Sequence, residues 1–211
     1  MRALADRLAG AGFHALRFDC RGCGDSGGEG SEAGIDEWVE DALAAVSEMR
    51  EHTGSSRVAL VGLRLGAALG TLAARRLGGV DSLVLWDPVV DGTAYVRELR
   101  VSNATWIREH AHGAEVRDDE VLGAPFPARL AAEIAAVRLA GLDVPARRAL
   151  IVSSDEGQGP IALWADRDPV LVERRRFPPA PVWLHAEGEE RALVPGELLD
   201  AVVAWLAGPV A

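Results

Sequence analysis

One stretch constrains the fold of this chain more than any other: residues 58–70, with the sequence VALVGLRLGAALG. A short apolar segment passes through Gly62 and Gly66 into an Ala/Leu-rich segment, which predicts a buried strand, a tight turn and a packed helix. The two glycines frame Arg64 in the pattern G-x-R-x-G. Because so sharp a turn brings neighbouring backbones together and pushes the central side chain out above the sheet, small residues are expected on both flanks.

The rest of the chain alternates predicted helices and strands around that turn. Helical periodicity covers residues 3–9, 35–51, 65–77 and 195–206, and apolar segments predict strands at residues 13–18, 57–61, 82–86, 147–153 and 181–185. This order requires parallel strands joined by right-handed crossovers. Strands that are apolar on both faces indicate a sheet covered by helices on both sides. We therefore expect a single α/β domain over residues 1–211 with a doubly wound, mostly parallel sheet.

Residues 91–145 interrupt the alternation. They hold two helical segments, at about 94–111 and 128–139, around a polar link that contains prolines, and they show no obvious strand. An insertion of this length between strands commonly runs over the surface and carries function. We expect it to form a helical lid over the carboxyl ends of the strands.

Composition excludes several classes of protein. The net charge of −10, from 32 acidic and 22 basic residues, argues against a nucleic-acid partner. The apolar runs are far shorter than the roughly 20 residues that span a bilayer, and the amphipathic first residues do not form an apolar leader. We therefore expect a cytoplasmic protein without a membrane span. Every basic residue is Arg, which suggests a GC-rich bacterial genome.

The cysteines and histidines give little sign of metal or redox chemistry. Cys20 and Cys23 are too few for a disulfide scaffold, and their C-x-x-C pair lies in a Gly-rich loop rather than at the start of a helix, which disfavours a redox role. No second Cys/His pair has zinc-ligand spacing. His110 and His112 end a predicted lid helix, where their charge suits the helix dipole. We expect neither a metal nor a cofactor.

Three segments at these spacings form a specific set. They are the loop at residues 18–27 (FDCRGCGDSG), the turn at residues 62–67 (GLRLGA) and residues 85–89 (LWDPV), which follow the next strand. This set resembles the α/β-hydrolase superfamily, in particular the branch of serine aminopeptidase-like and exosortase-associated hydrolases. The resemblance covers nearly the whole chain. It implies a nucleophile elbow at residues 62–66 and a hydrolase of ester, thioester or amide substrates.

The resemblance also implies departures from an active serine hydrolase. Arg64 stands at the nucleophile position, where a permanently protonated guanidinium cannot attack a carbonyl. The base position falls near residues 186–191, where there is no His. Asp155 occupies the acid position, but an acid without a base has nothing to orient. The first strands of the family, and the loop that supplies one oxyanion-hole amide, would precede Met1, so that either the fold is trimmed or the true start lies upstream.

Two interpretations of Arg64 stay open. In the first, its guanidinium and the Leu65 amide at the helix N-terminus bind a small anion such as a carboxylate or phosphate. In the second, Arg64 pairs internally with one of three carboxylates that follow strands: Asp19, Asp87 and Asp155. The residues expected to line the pocket are Asp19, Arg21, Ser26, Trp86 and Asp87.

The remaining candidates are weaker. His185, at the end of a predicted strand, is a candidate displaced base, while Ser26, Ser153 and Ser154 are candidate nucleophiles that more commonly bond loop backbone. A solvated acidic face is expected at Glu187, Glu189 and Glu190. Positions in the core are expected for Trp106, Trp164 and Trp183.

Three functions follow from these observations. The first is a pseudoenzyme that binds a small anionic or acyl ligand under the lid. The second is an active hydrolase or acyl transferase with a non-standard site, in which Ser26 or Ser153 acts with His185 and Asp155. The third is an assembly protein whose trimmed sheet edge recruits a partner or a second copy of the chain, giving a homo-oligomer.

Overall fold

The computed structural model describes residues 1–30, 33–111, 115–154, 172–177 and 195–209. In chain order its elements are α1 Arg2–Gly10, α2 Ile35–Thr53, β1 Ala59–Leu63, α3 Leu65–Arg76, β2 Val80–Trp86, α4 Gly92–His110, β3 Glu120–Val121, β4 Ala124–Pro125, α5 Ala128–Ala136, β5 Ala146–Ser153, β6 Val172–Arg176 and α6 Gly196–Ala207. No described helix is both long and apolar enough to cross a membrane.

The main sheet has four parallel strands in the order β1-β2-β5-β6. Its two central strands are apolar on both faces because each face is covered by helices. On β2, Leu83 and Leu85 pack into a core formed with α2, α3, α4 and α5. Val84 and Trp86, which alternate with them, pack into a second core formed with α1 and α6. The predicted doubly wound parallel sheet is thereby confirmed.

Local sequence signals set the ends of the helices that flank the sheet. Helix α2 has Asp36 and Glu37 in its first turn, where acidic side chains offset the positive end of the dipole. It stops at Gly54, whose φ of 67° is the left-handed conformation that glycine adopts without a Cβ penalty. Helix α4 begins after Asp91, whose carboxylate accepts a 3.0 Å hydrogen bond from the Ala94 amide.

One predicted strand does not form. Residues 13–18 have no strand structure, and the side chains of Leu16 and Phe18 are 47% and 42% exposed. A strand is stable only when a neighbour satisfies its backbone hydrogen bonds. Strand β1 pairs with β2 alone, and no other described strand offers residues 13–18 a partner. The predicted strand at residues 181–185 lies outside the described residues.

Two short elements were absent from the sequence prediction. Strand β6 has the sequence VERRR, in which only Val172 is buried, and its charged residues did not indicate a strand. Among the described strands it lies at one edge of the sheet, where charged side chains are common. Within the insertion, β3 and β4 form a small antiparallel hairpin where no strand was expected. Helix α5 ends at Ala136, and Leu139 beyond it is fully buried in extended chain rather than in the predicted longer helix.

The insertion at residues 91–145 packs on the sheet through its two helices. Val96 of α4 and Ile134 of α5 belong to the same core as Leu83 and Leu85. The start of α4 is pressed so closely on α5 that a Cβ at Gly92 would overlap the Ile134 carbonyl oxygen. This close contact fixes the position of the first turn of α4 relative to α5.

Candidate functional site

The turn between β1 and α3 has the predicted strand–turn–helix geometry. Arg64 lies between the two elements with φ 52° and ψ −120°, a conformation that is rare for a residue with a side chain. Its amide donates a 2.9 Å hydrogen bond to the Trp86 carbonyl, and its own carbonyl accepts from Val89 at 3.2 Å. These bonds tie the turn to the end of β2. They offset a backbone strain of about 1–3 kcal/mol.

The two flanking glycines differ in what surrounds them. A Cβ at Gly62 would overlap the Gly66 carbonyl oxygen and the backbone of Ala67, so the strand and helix touch only because Gly62 has no side chain. At Gly66 no atom lies within 4 Å of the corresponding position. The expectation of a small residue on both flanks is therefore right for Gly62 and wrong for Gly66.

The side chain of Arg64 forms an ion pair that the sequence analysis did not foresee. Its Nη2 atom contacts Glu98 Oε1 of α4, and its guanidinium lies 5.3 Å from the centre of the Tyr95 ring. The Arg64 side chain is 21% exposed and that of Glu98 is 38% exposed. Burial raises the pKa of the Tyr95 hydroxyl, which keeps the phenol neutral beside the ion pair. Together Arg64, Tyr95 and Glu98 form what we call the elbow cluster.

Of the three expected partners of Arg64, the two that the structure describes, Asp87 and Asp19, make other contacts. Asp87 is 2% exposed and turns to the end of β5, where its carboxylate accepts hydrogen bonds from the Ser154 amide at 2.8 Å and hydroxyl at 2.6 Å. Asp19 is exposed and lies 3.7 Å from Arg17. Asp155 lies outside the described residues. The partner that the structure shows, Glu98, comes from the insertion and was not among the three carboxylates named.

The serine candidates occupy structural positions. Ser154 bonds a carboxylate, Asp87, rather than the loop backbone that was expected. Ser153 is the last residue of β5 and is 8% exposed. Ser26 is half-buried, and its amide donates to the Cys23 carbonyl at 3.0 Å. In the described part of the chain, no serine hydroxyl contacts a histidine ring.

Arg21 fastens the glycine-rich loop to α2. Its Nε donates to one Asp41 oxygen at 2.9 Å and its amide donates to the other at 2.8 Å, while the Trp38 indole donates to its carbonyl at 3.1 Å. The side-chain hydrogen bond from Arg21 holds the pKa of Asp41 below its ordinary value. Burial, and then the negative charge of Asp41, raises the pKa of the Cys20 thiol to about 11, which leaves it protonated and unreactive at neutral pH.

The other candidates add no chemistry to the described site. Trp86 is 7% exposed and belongs to the core with α1 and α6. His110 stacks on Trp106, with ring centres 5.3 Å apart. Among the described residues no group of His, Cys, Asp and Glu side chains could hold a metal ion. The candidates outside the described residues are His112, Trp164, Trp183, His185, Glu187, Glu189 and Glu190.

Tyr95 and Glu98 were not among the residues predicted from the sequence to form the site. They are three residues apart on α4 and therefore lie on one face of that helix, and Tyr95 is the single tyrosine of the chain. Their spacing marked a shared face. The sequence does not show how the chain turns between β2 and α4, and it is this turn that brings the shared face of α4 to Arg64.

The sheet topology and the turn at Arg64 define the α/β-hydrolase class. Solved structures agree on the fold: Est1E from Butyrivibrio proteoclasticus has a TM-score of 0.69 at 17% identity, with 97% of this chain and 80% of that chain covered. An esterase from Pyrococcus furiosus has a TM-score of 0.62 at 17% identity, with 98% of this chain and 74% of that chain covered.

The family follows from sequence comparison. The family model described as serine aminopeptidase, S33, matches residues 1–138, and the chain belongs to this family. Lysophosphatidylserine lipase ABHD12 from Xenopus tropicalis is 36% identical over 85 residues, which are 38% of this chain and 21% of the lipase. The aligned segment thus spans about a fifth of the length of the curated relatives that it matches. The resemblance inferred from three short segments is confirmed for both family and fold.

Proposed function

We propose that this protein is a non-catalytic member of its family that binds a small carboxylate at Arg64. The observation that carries the proposal is the elbow cluster: at the position where the family places a nucleophile, a permanent positive charge is paired with the Glu98 carboxylate. A guanidinium cannot form an acyl intermediate, but its fork of N–H donors matches a carboxylate well. The chemistry that the elbow supports is recognition of an anion.

Glu98 itself supports the choice of ligand. Its carboxylate already occupies the guanidinium of Arg64, and the two side chains are 38% and 21% exposed, so water and small solutes reach the pair. A half-exposed ion pair of this kind contributes about 1 kcal/mol, the upper end of the range for surface pairs. A ligand carboxylate of modest affinity can therefore take the place of Glu98. In this proposal Glu98 is an internal competitor that an acyl-chain carboxylate displaces.

Calorimetric titration with hexanoate tests the proposal. Wild-type protein is expected to bind hexanoate saturably. Replacing the competitor by Glu98→Gln is expected to tighten binding about fivefold, since loss of a competing interaction of about 1 kcal/mol raises the apparent affinity by that factor. Arg64→Gln is expected to weaken binding more than tenfold because the charge-assisted hydrogen bonds are lost.

A control is available at the other end of α3 from Arg64. Glu40 of α2 pairs with Arg76, the last residue of α3, at 2.6 Å, so Glu40→Gln removes a carboxylate–arginine pair away from the elbow. This variant is expected to bind hexanoate as the wild type does. Absence of saturable binding by the wild type and by Glu98→Gln would refute the proposal, as would equal binding by Arg64→Gln.

A second candidate function is assembly through the edge of the sheet. Strand β1 pairs with β2 on one side, and no described strand covers its other side. Most residues of β1 are half-buried, whereas most residues of the central strands β2 and β5 are buried. An open parallel edge with apolar side chains can pair with another strand. Light scattering after size exclusion tests this function: a dimer supports it, and a monomer over the accessible concentration range counts against it.

A further inference from the structure

A concave surface lies at the opposite end of the sheet from the elbow cluster. It is a cleft of about 620 Å³ at the amino ends of the strands, where α2 and α3 end and where β2 and β5 begin. Arg64 follows the carboxyl end of β1, whereas Val58, Val80 and Ala146 of the cleft stand at the starts of three strands. The cleft is therefore separate from the proposed carboxylate site. Its volume lies in the range of small-molecule sites.

Three arginines from three different elements line this cleft: Arg50 from the last turn of α2, Arg75 from the last turn of α3 and Arg147 from β5. Within the described part of the chain, Arg50 and Arg75 have no carboxylate within 4.0 Å, and Arg147 is at that limit from Asp81, with its side chain 72% exposed. Their neighbour Arg76, which is not among the residues that line the cleft, is paired with Asp36 and Glu40. The described lining residues therefore include three arginines and two carboxylates, Asp81 and Asp143, in a chain of net charge −10.

The two carboxylates that line the cleft, Asp81 and Asp143, both have partners. Asp81 accepts a 2.9 Å hydrogen bond from the Val58 amide, which fixes its side chain against the start of β1, and only 18% of that side chain is exposed. Placing Arg50 and Arg75 at helix C-termini has a structural benefit, because cations there offset the helix dipole. The helix dipole explains why each of these helices ends with an arginine. It does not explain why three arginines line the same cleft.

We propose that this basic cleft binds a small phosphorylated molecule. Phosphate oxygens accept hydrogen bonds from several guanidinium groups at once, and a ligand with two or more phosphates matches three arginines better than a single carboxylate does. None of the described lining residues is aromatic, so the cleft offers no ring for stacking on a base. The ligand class is therefore a compact polyanion, such as an oligophosphate or a sugar phosphate.

The experiment is a calorimetric titration with inorganic tripolyphosphate at low ionic strength. Wild-type protein is expected to bind it saturably, and binding is expected to weaken as NaCl is added because the contacts are exposed charges. Arg50→Gln, Arg75→Gln and Arg147→Gln are each expected to weaken binding about tenfold. These side chains are exposed, so the variants are expected to fold, which circular dichroism checks.

Two controls separate the basic cleft from other positive charges. Arg100 is an exposed arginine of α4 outside the cleft, and Arg100→Gln is expected to bind tripolyphosphate like the wild type. Arg64→Gln is also expected to leave tripolyphosphate binding unchanged, although it removes the carboxylate site. Absence of saturable binding, unchanged binding in all three cleft variants, or loss of binding in Arg64→Gln would each overturn the proposal.

Discussion

The two glycines of the elbow differ in whether the surrounding backbone leaves room for a Cβ atom. At Gly62 the backbone of α3 occupies the space of a Cβ, so the residue has to be glycine for strand and helix to meet. At Gly66, in the first turn of α3, the same space is empty. The frame G-x-R-x-G therefore contains one glycine that the fold requires and one that it tolerates.

Alanine substitutions at the two positions are expected to have opposite effects. Gly62→Ala is expected to lower the free energy of unfolding by at least about 2 kcal/mol, because backbone atoms cannot move aside as a flexible side chain can. Gly66→Ala is expected to leave stability unchanged or to raise it by up to about 1 kcal/mol, since alanine favours the helix. Urea unfolding followed by circular dichroism measures both. Equal losses in the two variants would contradict the geometry described for the elbow.

Arg64 shows where sequence reasoning succeeds and where it ends. The glycine spacing and the apolar run before it located the turn, because short-range sterics determine that geometry. The partner of the guanidinium depends instead on the path of the chain from Arg64 to Glu98, which are 34 positions apart. Three carboxylates that follow strands were equally plausible on the sequence alone, and the structure pairs Arg64 with a fourth.

At the scale of elements, α4 connects the insertion to the elbow. Its start is fixed by the close approach of Gly92 to α5, its middle by the pairing of Glu98 with Arg64, and its later part by Asn103. The Asn103 side chain is 4% exposed, donates to the Glu120 carbonyl at 3.2 Å and accepts from the Leu122 amide at 2.8 Å. Asn103 thereby holds the β3–β4 hairpin against α4.

Removal of the Asn103 amide is expected to loosen this part of the molecule. Asn103→Ala loses two hydrogen bonds and leaves a cavity, which predicts a loss of about 1–2 kcal/mol in the free energy of unfolding. Hydrogen exchange of the hairpin amides is expected to speed up more than that of β2 and β5. Val101→Ala, at a neighbouring position on α4 with 62% exposure, serves as the control and is expected to change stability by less than about 0.5 kcal/mol.

A result in which Asn103→Ala and Val101→Ala unfold with the same free energy would show that the hairpin is held by other contacts. A result in which exchange speeds up equally in the hairpin and in the central strands would show that α4 and the sheet unfold as one unit. Either outcome would contradict the role of Asn103 as a separate contact that holds the β3–β4 hairpin against α4.

Elements were predictable to different degrees, for physical reasons. The central strands β2 and β5 are apolar on both faces because helices cover both, and that composition is visible in sequence. Among the described strands, β6 lies at one edge of the sheet, where charged side chains are compatible with pairing along one side only. Residues 13–18 have the composition of a strand, yet strand structure depends on a partner that the segment itself cannot encode.

For the whole molecule, chemistry is divided between two ends of one sheet. The carboxyl ends of the strands carry the elbow cluster, and the amino ends carry the basic cleft. The family assignment rests on the match of the family model to residues 1–138 and on the fold. The match is evidence of ancestry, and the fold is evidence of architecture. What the elbow does in this chain depends on Arg64, whose charge the fold places where a nucleophile would otherwise be.

The most direct test of the central claim is covalent labelling of the folded protein by a fluorophosphonate probe, measured by intact mass. We expect neither wild-type protein nor Arg64→Ser to gain the mass of the probe above a heat-denatured control. A hydroxyl at the elbow still requires a base to activate it, and the sequence has no His at residues 186–191. Saturable labelling of the wild type at a single residue would contradict the account, because it would reveal an activated nucleophile elsewhere in the chain.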